Sequence, residues 1–418
     1  MNKVLKGMRV VESSAFVAVP LAGMTLAQMG AEVIRIDRVE GGLDARRWPL
    51  GPSGDSFFWA GLNKGKKSVA VDIRTPQARE LVSDLITAPG RDAGLFMTNL
   101  AVSGWTDYKS LVKRRPDLIM ATLRGDRHGN PQVDYTVNPA LGIPEITGPE
   151  THDTPIASAL PAWDIAAGHM MVSALLAAER HRLRGGAGQE VVMSLKDIAA
   201  ATIGHLGMIG EAVAGTTTRG KSGNALYGAY GQDFVCACGT RVMVIGLTEG
   251  QWKGLVKATD TGEQMDALAR ATGRDLMDEG VRWELRHQIT ATLAPWFAAR
   301  RVADFADTFN ARKLTWSIFR SVSEAVRLDP DLSEANPMFS MIDQPGLGRF
   351  PVPGHPAEFG SHGRIKPRPA PALGEHTEEV LGDVMRLPDH EIARLFDKGI
   401  VHRPVARRHP PKGSRSAA

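Results

Sequence analysis

Cysteine is nearly missing from this chain: two occur in 418 residues, Cys236 and Cys238. That scarcity excludes a disulfide framework, and without a second Cys/His cluster it excludes a structural zinc site. A marked excess of one charge is also lacking, since 50 Lys and Arg face 46 Asp and Glu, a net charge of +4. No dense Lys/Arg stripe interleaved with aromatics occurs, so no nucleic-acid partner is expected. A mild basic excess suits a small anionic ligand better. Long hydrophobic runs are absent as well. The most apolar stretch, residues 15–31, follows Glu12 and is interrupted by Pro20, Gly23, Gln28 and Gly30. It is too broken to span a membrane and its flanks are wrong for a signal peptide. No membrane partner and a cytoplasmic, reducing location are therefore expected. Arg403, Arg407, Arg408, Lys412 and Arg415 form the most basic segment, read as a solvated terminus.

What is present is ordinary globular material. Hydrophobic residues make up 43% and charged residues 23%, ample for a large core. The length predicts about two domains. Strand signals at Met8 to Val11, Glu32 to Ile36, Val69 to Asp72, Gly94 to Met97 and Leu118 to Thr122 alternate with helical periodicity. Pro20 stands where a first helical residue belongs. A strong helix runs from Ala162 to His181, then a strand from Glu190 to Ser194, then a helix from Asp197 to Val213. Strands separated by helices predict βαβ units and an α/β fold with a doubly wound, Rossmann-like parallel sheet. After Thr216 the texture changes. Residues 219–231 read as a Gly- and Tyr-rich lid loop carrying Tyr227 and Tyr230, followed by strands at Val242 to Gly246 and Thr315 to Arg320 around helices. The expected organisation is a large domain over 1–217, a smaller α+β domain over 218–328, and a return over 329–418. The Pro-rich 329–371 segment is read as extended, and helices at Glu375 to Met385 and His390 to Asp397 dock on the first domain.

Candidate chemistry concentrates at predicted strand ends. Asp37 ends the second strand where a dinucleotide enzyme places its ribose-binding acid, but the first βα turn, Ser13 to Pro20, lacks the glycine fingerprint, so NAD is not expected. Arg38 and Arg74 fall at carboxyl ends of strands, where guanidinium groups can grip phosphates or remain solvated loop cations. The cluster Lys64, Lys66, Lys67 and the pair Arg46, Arg47 add positive potential. His128, His169, His181 and His205 are scattered without metal spacing, and no metal is expected. Asp164 opens the Ala162 helix. A carboxylate there is either an N-cap or an anion held by helix N–H groups and able to serve as a nucleophile.

Several segments together resemble the family III CoA-transferases: Leu5 to Glu12, Leu26 to Arg38, Asn63 to Val69, Asp72 to Pro76, and Leu373 to Thr377. The resemblance covers nearly the whole chain. It implies a CoA thioester as substrate with no tightly bound cofactor, an interlocked homodimer, and Asp164 as the nucleophile. It also implies CoA contacts at Val17, Ala18, Arg38, Val71, Asp72, Ile73, Arg74, Asn99, Leu100, Ala101, Asp134, Tyr135, Thr136 and Val137. The family's arginine after the Asn-containing loop has no counterpart between Ala101 and Tyr108. Its racemase branch carries a histidine before the aspartate that matches Asp134. Val133 stands there, so racemisation is not expected. The implied chemistry is acyl exchange through an aspartyl anhydride and an aspartyl thioester, with donors for each oxyanion expected at the start of the Ile165 helix or in the glycine-rich loop.

Overall fold

A computed structural model describes residues 3–101, 104–215 and 219–404. The tail beyond Pro404 and the boundary expected at 217/218 lie outside the described residues. The chain divides into two compact units. The first joins residues 1–141, 159–213 and 329–418, and the second joins 142–158 and 214–328. Residues 142–158 thus fall in the second unit, although sequence reading placed them in the large domain.

The first unit is built on six parallel strands, β1 (Arg9–Ser13), β2 (Glu32–Asp37), β3 (Lys67–Val71), β4 (Leu95–Thr98), β5 (Ile119–Arg124) and β6 (Glu190–Ser194). Their order is β3-β2-β1-β4-β5-β6, a doubly wound Rossmann-like sheet. Strands this apolar must be covered on both faces. Val11, Ile34, Ile36, Val69, Val71, Phe96 and Met120 pack on one side against Val82, Leu85 and Ile86 of the Pro76–Ile86 helix. The C-terminal segment closes the same core with Val380, Leu381, Ile392 and Leu395. On the other side lie the Ala18–Gln28 and Ala162–Leu183 helices, packed on each other. Pro20 falls third in its helix rather than first. An N–H is still not needed there, because the first turn has no intrahelical acceptor. The helix expected over Asp197 to Val213 is two, Leu195–His205 and Met208–Ala214, separated at Gly207, whose φ of 79° is left-handed.

The second unit centres on an antiparallel sheet of β7 (Tyr230–Val235), β8 (Arg241–Gly246) and β9 (Thr315–Ile318), backed by the Glu249–Thr259 and Arg286–Ala298 helices. Its core is aromatic, with Trp252, Phe297, Phe305 and Phe309 buried together. Cys236 and Cys238 are free and lie in the turn after β7, the first buried and the second exposed. In the first unit's last segment, part of the expected extended return is a hairpin of β10 (Phe339–Gln344) and β11 (Gly348–Pro353). Pro351 and Pro353 hid it. At alternate positions of a two-stranded ladder both prolines can face outward, where no N–H donor is needed. A short β12 (Val401–His402) then pairs antiparallel with β3 at the sheet edge.

Charge is buried between the sheet and the Ala18–Gln28 helix. Glu12 and Arg35 are register partners on β1 and β2, and both are fully buried. Arg35 bonds Asp37 at 2.8 Å, Ser14 Oγ at 3.0 Å, Glu12 at 3.3 Å and Asp44 at 3.4 Å. Lys66 Nζ donates to Glu12, Asn63 and the Pro20 carbonyl, each at 2.8 Å. Burial nevertheless holds the Lys66 ammonium down to about 8. Gly23 is required over this cluster, because a Cβ there would lie 1.7 Å from Glu12 Oε2. Removing one partner of such a network strands the other charge in a dry site. Lys66→Met is expected to destabilise the protein by about 3–5 kcal/mol, read as a lowered urea midpoint. An unchanged midpoint would show that Glu12 does not depend on its ammonium partner.

Candidate active site

Ligands of open α/β sheets bind beyond the carboxyl ends of the strands, where the strand order reverses. Here the order reverses between β1 and β4, whose last residues, Ser13 and Thr98, are register partners. The turn after β1 is unusually well fixed. Asn99, just past β4, reaches across and brackets Ala15, accepting from its N–H at 2.9 Å and donating to its carbonyl at 2.8 Å. Asp44 accepts from the Phe16 N–H at 2.9 Å. Phe16 is held at φ 65°, a left-handed conformation costly for an aromatic residue. Beyond it the Ala18–Gln28 helix begins with no side-chain cap.

Asp164 is the third residue of the Ala162–Leu183 helix, not its N-cap. The capping function belongs to Asp134, whose buried carboxylate accepts from the N–H groups of Trp163 at 2.8 Å and Asp164 at 3.2 Å. The Ala162 and Ile165 N–H groups donate to the carbonyls of Leu160 and Pro161. The first-turn donors are therefore committed, which corrects the expectation that they serve an oxyanion.

Glycine geometry locates the Asp164 carboxylate. At Gly168 the two long helices meet so closely that a Cβ would lie 2.8 Å from the Ala18 carbonyl oxygen. Both helices run from the carboxyl edge of the sheet toward its amino edge. Asp164 lies one turn before Gly168 on the same helix face, level with the turn that precedes Ala18. It is half-buried, and no hydrogen bond or ion pair neutralises its side chain among the described residues. Burial, and then the nearby Asp134 carboxylate, push Asp164 up to about 6. A carboxylate with that value remains mostly ionised at pH 7. Because the folded value is raised, the site favours folding most in acid and disfavours it as pH rises through about 6.

The other residues named from sequence all fall along the same edge, with different side-chain roles. Val17 and Ala18 start the first helix, and Arg38 is exposed just past β2. Val71 and Val137 point into the core, and Ile73 packs against it, so these can meet a ligand only through backbone atoms. Arg74 is exposed but paired with Asp72 at 2.7 Å. The Leu100 N–H donates to Thr98 at 3.1 Å, and Ala101 is exposed. Tyr135 is exposed, while the Thr136 hydroxyl caps its own helix by accepting from the Val133 N–H at 3.0 Å.

Sequence reasoning missed Phe16, Asp44 and Asp134's capping role, because each depends on long-range contacts without a local signal. Of the expected lid pair, Tyr230 belongs to the core of the second unit, its hydroxyl paired with Thr290, and is not free to close over a ligand. Tyr227 packs on Trp283 with Arg219 over its ring, and Gly223 is tied to the Gly148 carbonyl, so this loop is anchored within its own unit. No metal-ligand cluster occurs among the described residues.

Asp134→Asn keeps an acceptor for the Trp163 N–H while removing the charge. Asp164, followed by carbon-13 NMR of the labelled carboxyl, is expected to titrate near 6 in the wild type. In the variant it should titrate lower, yet above an ordinary aspartate, since burial remains. An unmoved midpoint would remove Asp134 as a cause.

Residues 5–377 match the model of CoA-transferase family III. The chain is 52% identical over 405 residues to 2-methylfumaryl-CoA isomerase of Chloroflexus aurantiacus, covering 97% of this chain and 99% of that protein. It is 28% identical to the succinate–glutarate CoA-transferase of Agrobacterium fabrum, covering 91% and 95%. Among solved structures, a CAIB/BAIF family protein from Brucella suis superposes with a TM-score of 0.74 at 25% identity, over 92% of this chain and 100% of that one. By the match over residues 5–377 and the 52% identity over nearly the whole chain, this chain belongs to CoA-transferase family III.

Proposed function

We propose that this protein is an isomerase that moves CoA within one dicarboxylic acid, converting 2-methylfumaryl-CoA, the C1 thioester, into 3-methylfumaryl-CoA, the C4 thioester. The likeness to 2-methylfumaryl-CoA isomerase over nearly the whole of both chains carries this reading. The unpaired Asp164 carboxylate supplies its nucleophile.

In this mechanism Asp164 attacks the C1 carbonyl, the C–S bond breaks, and CoA leaves as thiolate from a mixed anhydride. The thiolate attacks the aspartyl carbonyl and the anhydride C–O bond breaks, freeing the diacid and leaving an aspartyl-CoA thioester. The C4 carboxylate attacks that thioester and expels the thiolate again. Finally the thiolate attacks C4, and Asp164 returns as a carboxylate. No net proton is consumed. Splitting the exchange this way replaces one difficult carboxylate–thioester step with four acyl transfers. Each passes through an oxyanion. The Val17, Ala18 and Val19 N–H groups at the uncapped start of the first helix are the nearest donors without a partner among the described residues. CoA binding along the carboxyl edge, with Arg38 and Arg74 toward its phosphates, belongs to the same reading. Arg74 exchanges its Asp72 partner for the ligand.

The active form in this proposal is a homodimer. The Met208–Ala214 and Val322–Leu328 helices bury none of their residues, while Val213 and Val322 are 83% and 82% exposed. Single short helices are marginal in water, so apolar faces of this kind call for a second copy. No described helix is long and apolar enough to cross a membrane.

Incubation of the C1 thioester with isotopically labelled free 2-methylfumarate tests the reaction. The expected outcome is C4 thioester without label. Label in the product would mean transfer between separate acids, and no product at all would leave a binding protein. Asp164→Ala should abolish turnover, by about 10⁴-fold or more. For the wild type, kcat/KM should fall tenfold per pH unit below about 6, because protonated Asp164 is not a nucleophile. Light scattering should give twice the chain mass at micromolar concentration. A monomer with full activity would refute the dimer.

A further inference from the structure

Resting on the proposed reaction, a second question is how the site recognises an acyl group that carries its own negative charge. The arginines near the crevice are not equivalent. Arg35 is buried and fully engaged by Asp37, Glu12 and Asp44, and Arg74 is paired with Asp72. Arg38, Arg46 and Arg47 are exposed with no carboxylate partner among the described residues, and of these three only Arg47 rests on aromatic rings. Its carbon centre lies 5.1 Å from the Phe58 ring and 5.8 Å from the Phe16 ring. Two aromatic faces hold a cation in place without neutralising it. An open cavity of about 630 Å³, lined by Glu40, Leu43, Arg46, Arg47 and Trp48, adjoins it.

Phe16 links this cation to the nucleophile. It sits in the turn that the Gly168 contact places level with Asp164. Its left-handed backbone is fixed by Asp44, which belongs to the same 38–48 loop as Arg47. One loop thus sets the turn beside the nucleophile and also supplies an unneutralised guanidinium resting on it.

We propose that Arg47 is the specificity-determining residue for the acyl group: it pairs with whichever carboxylate of the diacid is not linked to CoA or Asp164. A planar guanidinium matches a carboxylate fork to fork. The trans double bond of a fumaryl group holds its two ends rigidly apart, so gripping one end aims the other. After the first C–S bond breaks, the freed diacid carries two negative charges, and Arg47 retains it during the exchange of ends. The two carboxylates are equivalent to a guanidinium, so one residue serves both halves of the reaction.

The test compares acylation of Asp164 by 2-methylfumaryl-CoA and by crotonyl-CoA, whose acyl group is neutral. Hydroxylamine traps the acylated aspartate, and mass analysis of the Asp164 peptide reads the hydroxamate. The wild type should favour the diacid thioester. In Arg47→Met the ratio of the two rates should fall about 10- to 150-fold, as expected on losing a charged hydrogen-bonded pair. That variant should also release free 2-methylfumarate, and Arg47→Lys should restore part of the preference. An unchanged ratio in Arg47→Met would overturn the assignment. So would equal losses with both thioesters, since they mark a general structural defect. If the wild type forms no adduct with either thioester, the proposed function falls together with this inference.

Discussion

The structure depends on a buried set of charges. Glu12, Arg35 and Lys66 are fully enclosed between the sheet and the first helix, where unpaired charge is very costly. Each therefore has to be met by a partner, and the partners fix geometry over several elements. Lys66 ties the Asn63–Lys66 turn to Glu12 on β1 and to the Pro20 carbonyl in the first helix. Arg35 on β2 draws in Ser14 and Asp44. Asp44 then holds the Phe16 N–H. A chain of contacts thus runs from the centre of the sheet to the turn level with Asp164. Glu12 Oε2 has no hydrogen-bond partner, so the cluster is held by its cations rather than fully satisfied.

The same constraint fixes the backbone of the turn next to the candidate site. A left-handed aromatic residue persists only if its surroundings over-determine it, and Phe16 has a carboxylate on its N–H and an amide bracketing the preceding residue. Asp134 does similar work on the other helix. By taking the Trp163 and Asp164 N–H groups, it fixes the first turn and leaves a second negative charge near the Asp164 carboxylate. The result is a carboxylate raised to about 6 yet mostly ionised at pH 7, as the proposed attack on a thioester requires. Its raised value disfavours folding above about pH 6, a common trade between stability and reactivity.

Much of this was legible in the residues. Runs such as Gly94 to Met97 and Leu118 to Thr122, separated by helical periods, pointed to a parallel α/β sheet, because a strand buried on both faces reads as continuously apolar. The segments from Leu5 to Thr377 that resemble the family implied Asp164 as its nucleophile. Only the tertiary structure decided which carboxylate caps the helix, that Tyr230 belongs to a core, that a hairpin runs through Pro351 and Pro353, and that residues 142–158 join the second unit. The physical reason is range. Periodicity and caps act over a few neighbours and can be read along the chain. Asp134 meets Trp163 across 29 positions and Asn99 meets Ala15 across 84, through contacts that exist only once the sheet has brought them together.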